Sequence, residues 1–160
     1  MRFTLIKDIT QDKAMRPILN GLLLFTLAYL TLDFIVTNTS LGLTNNSIRV
    51  TLLGSEEDFI DPMSKALFLE YIHMQIFFIM MLLLTLSAVF ARISNKKLFS
   101  LLLINTTMST ALLTLLLLIL SFYTMPSLIP LYLISFYLWH IGAIIMTLYS
   151  LWGLNFETSI

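Results

Sequence analysis

Residues 66–91 read ALFLEYIHMQIFFIMMLLLTLSAVFA, with one acidic side chain, one histidine and one glutamine among otherwise apolar or small hydroxyl residues. A helix crossing the hydrocarbon core of a bilayer needs about 20 predominantly apolar residues, and this run exceeds that length. It is apolar all round rather than along one stripe, the pattern of a helix surrounded by lipid or by other helices. Three further runs of comparable length follow the same rule, at 18–37, 98–122 and 131–152.

Composition agrees with this reading. The chain of 160 residues is 58% hydrophobic with a mean hydropathy of +0.92, well above the apolar share of an average soluble domain. With helices at about 18–37, 62–92, 98–122 and 130–153 and a loop at 38–61, no stretch remains that is long enough for a soluble domain of ordinary size. The expected architecture is an all-α integral membrane protein, a single four-helix transmembrane bundle over 1–160. The first run follows a basic segment, but it is longer than a signal-peptide core and lacks a small-residue cleavage pattern, so it is read as a retained helix.

Charge sets the expected orientation. Arg2, Lys7, Lys13, Arg16, Arg92, Lys96 and Lys97 fall on one side of the four spans, seven of the nine basic residues. The opposite side holds Arg49 and Lys65 with Glu56, Glu57, Asp58 and Asp61. The positive-inside rule then places both termini in the cytoplasm and the acidic loop outside, as for a bacterial inner-membrane protein. Asp61 followed by Pro62 reads as a helix cap with proline at the first helical position, and Pro126 and Pro130 mark the start of the last helix. In the loop, the turn at 43–47 precedes a short alternating run, Ile48 to Leu52, compatible with a lid lying on the outer face. Residues 1–16 interleave Phe3, Leu5, Ile6 and Ile9 with charges, compatible with an amphipathic helix on the inner surface.

Several classes of function are unsupported. Without cysteine there is no disulfide, thiolate metal site or thioether-linked haem, and a net charge of zero provides no electrostatic case for nucleic acid. No nucleophile–base pair or phosphate loop appears in a water-accessible stretch, so the chain is not expected to be an enzyme on its own. Its partners are expected to be the lipid bilayer and either another membrane or peripheral protein or further copies of itself.

What remains is a small set of ionisable groups at membrane depth: Asp33, Glu70, His73 and His140. Such groups are costly in lipid and usually face the bundle interior or water. Helices two and four run in the same direction, and His73 lies eleven residues after Pro62 while His140 lies ten after Pro130, which puts the two imidazoles at nearly one depth. Glu70 shares the His73 face at i–3, together with Phe77 and Met80. On the last helix the His140 face carries Tyr132, Phe136, Ala143 and Thr147, and on the first Asp33 shares a stripe with Thr26 and Tyr29.

Three readings stand together. In the first, His73 and His140 are axial ligands of a b-type haem, an arrangement similar to that of small four-helix membrane cytochromes b such as the haem-carrying anchors of respiratory dehydrogenases; the resemblance implies electron transfer between a partner and quinone. In the second, His73, His140, Glu70 and Asp33 form a metal-binding or proton-carrying cluster suited to a small transporter. In the third, the polar residues are hydrogen-bonding pins of a non-catalytic scaffold or assembly subunit. Asn105 to Thr110 are expected to satisfy backbone carbonyls or a neighbouring helix. Gln75 points away from His73 and is the least informative of the three polar groups in its helix.

Overall fold

The computed structural model describes residues 14–94 and 96–156, so the amphipathic segment expected at 1–16 lies almost wholly outside the described residues. Four long helices form the all-α transmembrane bundle: α1 (Met15–Ser40), α3 (Lys65–Ile93), α4 (Lys97–Tyr123) and α5 (Ile129–Phe156). At about 1.5 Å per residue, helices of 26 to 29 residues extend roughly 39 to 44 Å and overrun a 30 Å hydrocarbon core at both ends.

A fifth, short helix, α2 (Asn45–Leu53), takes in the alternating run of the loop. Its start is fixed by a capping box. The Thr44 hydroxyl accepts from the Ser47 amide at 3.2 Å, and the Ser47 hydroxyl accepts from the Thr44 amide at 3.1 Å. Ile48 and Leu52 then fall one turn apart on a single face and are buried, which is the 3.6-residue period and not the two-residue one. Gly42, at φ 89°, makes the turn between α1 and α2, and a side chain there would run into Ser47. Helix α3 begins at Lys65, not at Pro62, because Ser64 rather than Asp61 supplies the cap, accepting from the Leu67 amide at 3.3 Å. The last helix follows a single 3-10 turn, Pro126–Leu128.

Helix α5 is the hub, packing against α1, α3 and α4. The α4–α5 crossing is the closest. Gly142 lies against Thr107, whose Cβ and methyl carbon stand 3.2 Å from the place a Gly142 side chain would occupy. Without a hydrophobic drive between helices in lipid, such small residues let backbones approach and gain dispersion contact. Two apolar clusters fill the interior. One, around Trp139, Phe90 and Met146, joins the long helices; the other, around Phe68, Tyr132 and Phe136, seats α2 through Ile48 and Leu52. At the end opposite α2, Asn20 and Asn155 exchange amide hydrogen bonds at 3.1 and 3.2 Å, and Arg16 donates to the Asn155 carbonyl at 3.2 Å. These bonds tie the start of α1 to the end of α5, so the two helices run antiparallel and α3 runs with α5.

Candidate functional site

The inward stripe of α1 is Thr26, Leu30, Asp33 and Thr37, spaced by three or four residues and all buried. Asp33 is only 5% exposed, in the half of the bundle nearer α2. An unpaired carboxylate there would be expensive, and its oxygens are engaged by two other helices. From α3, Gln75 Nε2 donates to Oδ1 at 3.1 Å. From α5, His140 Nε2 lies 3.1 Å from Oδ2. The Gln75 amide also donates to the Tyr71 hydroxyl at 3.3 Å, and that hydroxyl meets Thr37 Oγ1 at 3.3 Å, closing the network back onto α1.

His140 is fully buried, and its other ring nitrogen, Nδ1, lies 2.9 Å from the Phe136 carbonyl oxygen. A carbonyl can only accept, so Nδ1 carries the proton of that bond. Nε2 then either donates, as part of an imidazolium facing a carboxylate, or accepts from a protonated Asp33. In both forms the pair is neutral overall and holds one transferable proton. Aromatic rings enclose it: Phe34, Phe136 and Trp139 have centroids 4.3, 4.2 and 3.8 Å from the imidazole.

Of the residues singled out in the sequence, Asp33 and His140 therefore meet, while Glu70 and His73 do not join them. Both are exposed on α3, on an outward face shared with Phe77 and Met80. The reason is helical geometry. Tyr71 and Gln75 are one turn apart and face inward; His73 is two residues from each, about 200° around the helix. Where α3 meets Asp33, the side chain that turns inward is Gln75, two residues beyond His73. Its i+4 relation to Tyr71 was the available signal. No bis-histidine pair is assembled within the chain, and both nitrogens of His140 are engaged inside the bundle. Among the described residues no three His, Asp or Glu side chains are grouped to hold a metal ion. Of the α4 residues expected to satisfy backbone carbonyls, Thr107 and Thr110 each donate to the carbonyl four residues earlier at 2.8 Å, and Thr114, one turn further on, does the same.

A family model described as a transmembrane helical domain, Aq_1264_TM, matches residues 42–159. The chain belongs to this family. The match covers most of the chain and takes in α2 to α5, including Gln75 and His140, while Asp33 on α1 precedes it. Comparison with curated proteins and with solved structures returned no match. The family describes a membrane-spanning architecture and carries no stated activity.

Proposed function

We propose that this protein is a small non-catalytic subunit of the bacterial inner membrane, a scaffold or assembly piece with both termini in the cytoplasm. The observation that carries this reading is the saturation of the buried pair: Asp33 bonds α3 and α5 at once, and His140 keeps no free nitrogen for a cofactor. Polar bonds of this kind between membrane helices contribute about 0.6 to 2 kcal/mol each, enough to fix rotation and register. The clustering of basic residues around 1–16 and 92–97 supports the orientation.

Absorption spectra of the protein purified from haem-replete cells test the choice directly. The expected preparation is colourless, and His140→Ala lowers thermal stability without changing any spectrum. A Soret band lost in both His73→Ala and His140→Ala would overturn the scaffold reading in favour of the bis-histidine electron-transfer subunit. Because the chain has no cysteine, a single Ser55→Cys reports sidedness: an impermeant maleimide should label it from the periplasmic side of spheroplasts.

A second reading, proton coupling, is favoured by the one proton that the geometry assigns to Asp33 and His140. Its signature is the infrared carbonyl stretch of a protonated carboxyl group, absent in Asp33→Asn. If the band does not shift on deuteration or with pH, the proton is trapped and the coupling reading fails.

A further inference from the structure

Between α1 and α3 the bundle is open sideways to the bilayer, along a groove of about 370 Å³ lined by Tyr29, Asp33, Val36, Tyr71, Gln75 and Phe78. The volume lies in the range of small-molecule sites, which typically join apolar walls to a few convergent polar atoms. Two such atoms stand away from the helix ends, and a third, the Ser40 hydroxyl, lies at the last residue of α1. The Tyr29 hydroxyl makes no hydrogen bond among the described residues. The Gln75 amide is oriented by its Nε2 bonds to Asp33 and Tyr71, which leaves Oε1 as an acceptor with no donor among the described residues. Tyr29 and Phe78 pair across the groove with centroids 5.8 Å apart, an aromatic wall.

Depth selects the kind of molecule. Asp33 is seven residues from the end of α1 and Gln75 ten from the start of α3, roughly 10 and 15 Å along the helices. Since the helices overrun the hydrocarbon by only about 5 to 7 Å at each end, these polar atoms lie below the level of phospholipid headgroups. The fitting ligand has an apolar body and brings hydroxyl groups into the hydrocarbon. Gln75 Oε1 requires a donor and the Tyr29 O–H can supply one, so the ligand should donate at one ring oxygen and accept at another.

We propose that the α1–α3 groove binds a single-ring quinol from the bilayer, its ring against Tyr29 and Phe78, one hydroxyl donating to Gln75 Oε1 and the other accepting from Tyr29. The proposal goes beyond the scaffold reading and concerns binding alone. A quinone has no O–H to give Gln75, so the reduced form is held more tightly than the oxidised one.

The experiment is equilibrium dialysis of the full chain in nanodiscs against decylubiquinol held reduced, decylubiquinone and dioleoylglycerol. Expected is saturable binding of one quinol per chain, weaker for the quinone. Tyr29→Phe, which breaks no internal bond and leaves the fold intact, should reduce quinol affinity about three- to tenfold. Val36→Trp, at a position already half exposed, should fill the groove and abolish binding while the thermal midpoint is retained. Non-saturable uptake, quinol binding that Val36→Trp leaves unchanged, or equal occupancy by dioleoylglycerol would each overturn the proposal.

Discussion

Replacing Asp33 by asparagine separates the hydrogen bonds of the buried pair from its proton. In the structure Nδ1 of His140 donates to the Phe136 carbonyl, so a neutral imidazole presents Nε2 as an acceptor, and the amide nitrogen of an asparagine at 33 can donate to it. The amide oxygen takes over the bond from Gln75. Both contacts survive and a neutral pair replaces a neutral pair, so the expected loss for Asp33→Asn is under about 1 kcal/mol. Asp33→Ala removes the acceptor for Gln75 and the partner of His140 and leaves a fully buried imidazole nitrogen unpaired. At about 1 to 2 kcal/mol for each bond, the loss should be roughly 2 to 4 kcal/mol. Unfolding of both variants by titration with SDS in mixed micelles, or by steric trapping, would measure the difference. If Asp33→Asn is as damaging as Asp33→Ala, the form in which a neutral imidazole accepts from a protonated Asp33 is wrong, because only a charged carboxylate opposite an imidazolium would lose so much on amide replacement.

Other sites give sharper local tests. Gly142→Ala should cost about 1 to 3 kcal/mol through overpacking against Thr107, and adding Thr107→Ala in the same chain should return most of it; strict additivity in that double-mutant cycle would refute the close α4–α5 crossing. Thr44→Ala removes half of the capping box on α2 and should lower amide exchange protection in residues 45–53 by about 1 kcal/mol while the global midpoint stays put. A fall in the global midpoint of the same size would mean that α2 unfolds with the bundle and not before it.

The four spanning helices were legible because length and absence of charge decide them: of the two architectures that satisfy the backbone in lipid, helices and closed barrels, only helices suit unbroken apolar runs of about 20 residues or more, since barrel strands alternate over about ten. α2 was not legible from periodicity. Ile48, Val50 and Leu52 fit an alternating strand, Ile48 and Leu52 equally fit a helical turn, and five residues cannot separate the two periods. Thr44 and Ser47 held the deciding information, with serine where a capping box more often has glutamate. In the site, Asp33 and His140 were recognisable by residue type, since buried ionisable groups in a membrane need partners. The rotation of α3 was hidden for a physical reason. A helix that is apolar on every side has no polar face to show which side looks outward, so the inward face depends on shape and on the single Tyr71–Gln75 turn.

That rotation makes its own prediction at His73. An inward polar group loses bonds when it is removed, whereas one facing lipid has no protein bond to lose and gains from apolar replacement. His73 is exposed on the same outward face as Glu70 and Phe77, while His140 is fully buried with both nitrogens engaged. His73→Leu should therefore leave the isolated protein unchanged or stabilise it by up to about 1 kcal/mol, given the favourable insertion of leucine at membrane depth. His140→Leu should destabilise it by roughly 2 to 4 kcal/mol, since it leaves Asp33 Oδ2 buried without its partner. Measured side by side in one detergent, the two histidines should move in opposite directions or differ by at least that gap. A loss above about 1.5 kcal/mol for His73→Leu would place that side chain inside the bundle and reverse the assignment of the α3 faces. With the outward assignment upheld, a defect of His73→Leu seen only in native membranes would locate a contact on this face of α3, where a polar side chain at bilayer depth otherwise has no partner among the described residues.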